Sequence, residues 1–218
     1  MSILALKNVS YRYKNSYKPA VCAVSQEFST GKVYAIAGPS GSGKSTLLSI
    51  LAGLDLPSDG EVDYNGDDLK KLDLSRYRRE SVSVIFQAFH LFPLMTVMEN
   101  VCFQLELCGV MPDKAKEQAA LLLDSVGIKS EKWGRYPSKL SGGEQQRVAI
   151  ARSLASHAKI ILADEPTGNL DSANTKNIID ILGVLAHEKD YCVIIVTHDS
   201  EVAESADVVL RMRDGYLL

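Results

Sequence analysis

An apolar run, Val33-Tyr34-Ala35-Ile36-Ala37, leads directly into Gly38-Pro39-Ser40-Gly41-Ser42-Gly43-Lys44-Ser45, and a helix-forming stretch continues from Lys44 to about Ala52. A strand, a glycine-rich turn and a helix in that order leave a chain few folds to choose from. Glycines let the backbone curl, so successive N–H groups converge on one anion. Lys44 adds a point charge suited to β- and γ-phosphates, and the Ser45 hydroxyl suits Mg²⁺. The helix aims its positive end at the same place. The pattern G-x-x-x-x-G-K-S therefore predicts a triphosphate cradle formed by Gly38, Pro39, Ser40, Gly41, Ser42, Gly43, Lys44, Ser45 and Thr46. An ordinary glycine turn is the plain alternative, and the flanking strand and helix argue against it. Phosphate binding alone does not separate kinases, GTPases, motors and transport ATPases.

The rest of the chain repeats the βα theme. Ile3 to Val9, Gly60 to Gly66, Val82 to Phe86, Ile160 to Ala163, Tyr191 to Val196 and Val208 to Met212 read as strands. Several are continuous Val/Ile runs, the mark of parallel strands buried on both faces. Ser172 to His187 and Asp199 to Ser205 read as helices. Thr96 to His157 reads as a helical insert, with Pro112 opening one helix and Gly127 closing it. The fold class is α/β with a mainly parallel sheet. At 218 residues the length suits one domain. A net charge of −3 gives no basic footprint, so no nucleic-acid partner is expected. No apolar run approaches the ~20 residues that span a bilayer, and no signal peptide is apparent, which predicts a cytoplasmic chain. Cys22, Cys102, Cys108 and Cys192 lack metal-site spacing and read as reduced, mostly buried thiols.

Two further stretches carry chemistry. Ile160-Ile161-Leu162-Ala163-Asp164-Glu165 is an apolar strand ending in two carboxylates, where an α/β sheet gathers its ligands. Asp164 suits Mg²⁺, and Glu165 suits a water nucleophile. Leu140-Ser141-Gly142-Gly143-Glu144-Gln145-Gln146-Arg147 places an N-cap serine and two glycines before a helix from Glu144 to about Ala155, a second anion corner. A loop start and a simple helix cap are the plain alternatives.

On these motifs the chain resembles the ATP-binding cassette (ABC) ATPases, nearly end to end. The resemblance implies a RecA-like P-loop NTPase core with an N-terminal antiparallel β portion (core 1–87 and 158–218) and a helical subdomain at about 88–157. It implies ATP with Mg²⁺, and two copies in which the Ser141, Gly142, Gly143 corner of one closes over the ATP held by the other. Glu144 stands where the commonest family form has Gln. Tyr13, in preference to Tyr11, resembles the aromatic that stacks on adenine. Gln87 resembles the Q-loop glutamine that contacts Mg²⁺ and water, and Asn169-Leu170-Asp171 resembles the D-loop, with Asp171 near the shared nucleotide. His198 resembles the switch histidine at the γ-phosphate, whereas His90, His157 and His187 read as structural or surface. Catalysis would then rest on Glu165, His198, Gln87 and Lys44, and the metal on Ser45, Gln87 and Asp164.

In relatives the stretch after the Q-loop receives a membrane permease, so a permease subunit is expected to dock near Ala88 to Val101. Phe89, Leu91, Phe92 and Met95 are the candidate contacts; forming the insert's own core is their alternative role. This would hold the chain on the inner face of the cell membrane. Asp164-Glu165-Pro166-Thr167-Gly168-Asn169-Leu170-Asp171-Ser172 resembles the subfamily of lipoprotein-release, macrolide-exporter, antimicrobial-peptide-resistance and cell-division ATPases. Export, lipoprotein release or peptide resistance is the expectation, with cell-division or importer ATPases, and more remotely non-transport ABC ATPases, as alternatives. The GTPase motif N-K-x-D is absent, and the interval from Gln87 to Ser141 has no room for the coiled coil of DNA-repair relatives. With the chain ending at Leu218, no added regulatory domain is expected.

Overall fold

The computed structural model describes residues 2–14, 16–156 and 158–218. In chain order the strands and helices are β1 (Ser2–Tyr11), β2 (Val21–Ser29), β3 (Lys32–Ala37), α1 (Lys44–Leu51), β4 (Asp59–Tyr64), β5 (Asp67–Asp68), α2 (Leu74–Glu80) and β6 (Val82–Phe86). They continue as α3 (Val97–Leu107), α4 (Pro112–Ser125), α5 (Gly142–Leu154), β7 (Ile160–Asp164), α6 (Ser172–Lys189), β8 (Cys192–Thr197), α7 (Ser200–Glu204), β9 (Val208–Arg213) and β10 (Tyr216–Leu217).

One sheet has the order β10-β9-β3-β8-β7-β6, with β9, β3, β8, β7 and β6 parallel and β10 antiparallel to β9. The other, β2-β1-β4-β5, is antiparallel. Alternation within the parallel strands sorts their side chains into two cores. Val33, Ile85, Ile161, Ala163, Val193 and Ile195 pack with Val101 and Leu105 of α3, Leu123 of α4, Val148 of α5 and Leu182 of α6. Tyr34, Ile36, Leu162, Ile194 and Val196 pack with Leu47 and Leu51 of α1 and with Leu4, Phe28 and Val62 of the antiparallel sheet. Each fully buried Leu, Ile or Phe contributes about 1.5–3 kcal/mol. Both faces are covered, which is why these strands read as unbroken apolar runs.

Among the described residues the helical insert carries α3, α4 and α5, separated by turns. A capping box of Thr96 and Glu99 starts α3, and Pro112 opens α4. Gly127, at φ 73°, ends that run with its N–H donating to Asp124 O. Between α4 and α5 the chain makes only short 3₁₀ turns at Ser130–Lys132 and Pro137–Lys139, because Gly127 and Pro137 interrupt helical hydrogen bonding. His157 lies outside the described residues. No described helix is long and apolar enough to cross a membrane. All four cysteines are free; Cys102 and Cys192 are buried, and Cys22 and Cys108 are half-buried.

Candidate functional site

The parallel sheet brings the separated motifs together. The glycine turn follows β3, Asp164 ends β7, His198 follows β8 and Gln87 follows β6, four adjacent strands in the sheet. Their register aligns Ala37 with Thr197, Asp164 with Val196, and Phe86 with Asp164. Carboxyl ends of neighbouring parallel strands thus form one rim. A cleft of ≈ 700 Å³ opens there, lined by Tyr13, Ala20, Pro39, Ser40, Gly41, Gly43, Lys44, Ser45, Thr46, Gln87, Asp164, Glu165 and His198. Gly38 and Ser42 support the turn from beneath; the Ser42 Oγ is buried and without a hydrogen-bond partner.

Each polar group has a definable role in the cleft. Lys44 is buried and its Nζ donates to Gly38 O at 2.8 Å and Pro39 O at 3.0 Å. An ammonium has three N–H groups, so one is left for an incoming anion. Ser45 Oγ donates toward Asp164 Oδ1 at 3.4 Å. Burial, and then the neighbouring Glu165 carboxylate, raise the Asp164 pKa above its ordinary value, against the opposing pull of Ser45 and Lys44. A carboxylate strained in that sense gains from a cation. With Ser45 and Gln87 it offers hydroxyl, carboxylate and amide oxygens, the hard donors Mg²⁺ takes while keeping water and phosphate ligands. The residues therefore fit Mg²⁺ carried in with a nucleotide; among the described residues no cluster of three or more His, Cys, Asp or Glu forms a self-sufficient metal cage.

Glu165 sits in the left-handed region, φ 48°, with its N–H bonded to Val196 O at 2.9 Å. Such a conformation costs a non-glycine residue on the order of 1 kcal/mol. It turns the carboxylate toward β8, where His198 Nδ1 lies 2.7 Å from Oε1 and Thr197 Oγ1 donates to Oε2 at 3.3 Å. Thr197 was not foreseen, because its register beside Glu165 exists only once β7 and β8 pair. Tyr13 stands at the rim, half exposed, with its hydroxyl 2.9 Å from Thr46 Oγ1 and its ring edge-on to Tyr11.

Ser141, Gly142, Gly143 and Asp171 do not line this cleft. Ser141 caps α5, and the Glu144 carboxylate returns a bond to Ser141 N–H at 2.9 Å. Glu144 also pairs closely with Lys132. Asp171 caps α6, accepting from Asn174 N–H at 2.8 Å. Gly143 is backed by Asn174: a Cβ there would come within 2.1 Å of its Oδ1. Within α5, Gln146 is fully buried with both amide atoms unpartnered, another feature without a sequence signal. His90 offers its carbonyl to Arg152, and His187 pairs with Asp207 at 2.8 Å.

Of the candidate docking residues, Leu91 packs into the core of the insert, whereas Phe92 is 38% exposed and stacks edge-on to Phe103. Leu94, not among those candidates, is 89% exposed. A groove of ≈ 300 Å³ beside them is lined in part by Leu54, Arg78, His90, Phe92, Gln104 and Arg152. A separate apolar cleft of ≈ 520 Å³ between α4 and α6 carries none of the chemistry.

Residues 21–168 match the protein family described as ABC transporter. The chain is 42% identical over 216 residues to the uncharacterised ABC transporter ATP-binding protein YclH of Bacillus subtilis strain 168, covering 99% of this chain and 95% of that protein. It is 40% identical to the lipoprotein-releasing system ATP-binding protein LolD 2 of Rhodopirellula baltica, covering 95% and 85%. It is 44% identical to the macrolide export ATP-binding/permease protein MacB of Bdellovibrio bacteriovorus, covering 95% of this chain and 32% of that longer protein. Among solved structures, the dimeric bacterial ABC transporter cassette MJ0796 superposes with a TM-score of 0.89 at 39% identity, covering 98% and 96% of the two chains. The post-hydrolysis dimer of the same cassette, bound to ADP and Pi, has a TM-score of 0.89 at 38% identity.

Proposed function

The chain belongs to the ABC transporter ATP-binding family, and from that premise we propose that two copies trap two Mg·ATP between them and drive a membrane permease by hydrolysing it. The observation that carries the reading is the separation of the two anion corners. The cleft of one copy holds the glycine turn but not Ser141 to Gly143, so a second copy must bring that corner to complete it. The dimeric form of the similar MJ0796 cassette supports the same arrangement.

In this reading the phosphates lie against the backbone N–H groups of Gly41, Gly43, Lys44, Ser45 and Thr46 and the free N–H of the Lys44 ammonium. Ser45, Asp164 and Gln87 would hold Mg²⁺, and the ion would supply charge neutralisation for the phosphoryl oxygens. Glu165 accepts a hydrogen bond from the attacking water and takes its proton as the water oxygen bonds to the γ-phosphorus and the bond from that phosphorus to the β–γ bridging oxygen breaks, releasing ADP and phosphate. With Nδ1 committed to Glu165, His198 holds that carboxylate in place and faces the terminal phosphate. Tyr13 stacks on the base. Ser141 and Gly143 of the second copy close the site, and the loop ending at Asp171, the cap of α6, meets it. ATP thereby favours the closed dimer and hydrolysis releases it.

A permease subunit docks near Ala88 to Val101, at the groove beside Phe92, and holds the chain on the inner face of the membrane. The similarity to LolD and MacB supports export or lipoprotein release. The deciding variant is Glu165→Gln. It should bind ATP normally, lose turnover by roughly 10²-fold or more, and elute as a dimer with excess Mg·ATP. Retained turnover, or a monomer under those conditions, would sink the proposal. Co-purification of an integral membrane protein, lost on charging Phe92 and Leu94, tests the docking face.

A further inference from the structure

The turn after β6 adopts a conformation that its own residues oppose. Phe89 and His90 both stand at positive φ, 59° and 47°, where a Cβ crowds the following carbonyl. No residue from Phe86 to His90 is a glycine. Local support is thin: Phe89 N–H donates to Phe86 O at 3.3 Å, and His90 N–H to Ala88 O at 2.6 Å. Two successive left-handed residues persist where something outside the turn over-determines them.

Arg152, on the last turn of α5, supplies that support. Its Nη1 donates to His90 O at 2.7 Å and its Nη2 approaches Phe89 O at 3.4 Å. These are the carbonyls of the two strained residues, and a planar fork can span both where a point charge cannot. The guanidinium also lies 5.5 Å from the centroid of the Phe92 ring. At its other end the turn carries Gln87. The Gln87 carbonyl accepts from Asn169 Nδ2 at 3.1 Å, and its amide lies so close to Gly168 that a Cβ there would come within 2.8 Å. The Phe89 ring abuts Gly142, the first residue of α5, at a hypothetical Cβ distance of 3.6 Å.

We propose that Arg152 is a positioning residue for hydrolysis: its fork locks the left-handed Phe89–His90 turn and so holds Gln87 in the nucleotide cleft. Arg152 does not line that cleft; it acts through the turn. The inference rests on the reading of Gln87 as a cleft residue given above. It predicts an effect on turnover and not on nucleotide affinity, because the phosphate cradle is the turn between β3 and α1 and the start of α1.

The experiment is steady-state Mg·ATP hydrolysis by the full chain, with thermal melts, for Arg152→Ala, Arg152→Lys and the double variant Arg152→Ala/His90→Gly. Arg152→Ala should lower kcat by about 10-fold or more with KM for ATP within about two-fold. Arg152→Lys should fall between. Glycine takes positive φ without help, so the double variant should recover most of the lost kcat while its melting temperature stays low. Unchanged kcat in Arg152→Ala overturns the inference, as does an equal loss in the single and double variants. Should Arg152→Ala not fold, Arg152→Lys against Arg152→Lys/His90→Gly decides by the same criterion. A wild-type chain without hydrolysis would overturn the ATPase reading itself, whereas a hydrolysing wild type matched by Arg152→Ala overturns only the role of Arg152.

Discussion

Gly38 and Gly41 belong to one motif and answer to different constraints. A Cβ on Gly38 would fall 2.1 Å from Met212 O, a backbone atom of β9 that cannot step aside. Gly41, at φ 78°, lines the cleft and has nothing within 4 Å of its hypothetical Cβ. Gly38→Ala should therefore unfold more easily without any nucleotide, by about 2–3 kcal/mol, or roughly 5–10 °C in Tm. Gly41→Ala should cost only about 1 kcal/mol of folding while weakening ATP binding at least about 10-fold. Melts of the nucleotide-free proteins and a nucleotide titration check both, and equal melting temperatures would contradict the distinction. A motif read along the chain treats the two glycines alike. Only the β3–β9 approach separates them.

At the scale of elements, the start of α5 explains Glu144. Glu144 stands at N3, bonds back to Ser141 N–H and pairs with Lys132, which leads the causes that hold its carboxyl below the ordinary value of 4.5. Glutamine can keep the capping box but not the ion pair. Glu144→Gln should thus lose about 0.5–1 kcal/mol at neutral pH, seen as a small fall in Tm. Because the folded pKa is depressed, the ionic contribution exists above the unfolded value and disappears as pH falls through the folded one. Wild type and variant should converge as the pH falls below that depressed value; a gap that persists once the carboxyl is protonated would rule out the Lys132 pair as its source. The parallel strands were legible in sequence because burial on both faces leaves an unbroken apolar run. The short helix α2 was not, since Leu74–Glu80 carries four charges and a serine around one buried Tyr77. Its start is set by the Asp73 side chain accepting from Ser75 and Arg76 N–H. Strand β2 was missed as well: its polar Ser25-Gln26-Glu27 centre and its irregular register against β1 hide the alternation.

For the whole molecule, nucleotide binding and association should appear as stability. A ligand at 100 times its Kd adds about 2.7 kcal/mol, or roughly 5–10 °C of Tm for a chain this size. Lys44→Ala should remove most of that shift, and an undiminished one would contradict the role of its ammonium. In Glu165→Gln the shift with Mg·ATP should also grow with protein concentration, because dimerisation is linked to folding. A concentration-independent shift would place all the binding within one copy.

Local chemistry was written in the chain order: the glycine turn, the carboxylates at the end of an apolar strand, the serine before a helix, and the family these motifs belong to. Those are properties of neighbouring residues, so spacing alone reveals them. The contact of Glu165 with Thr197 and His198, the crowding of Gly38 by Met212 and the clasp of Arg152 on a left-handed turn join residues far apart in sequence. Strand register and helix docking decide such contacts, and no local pattern encodes them.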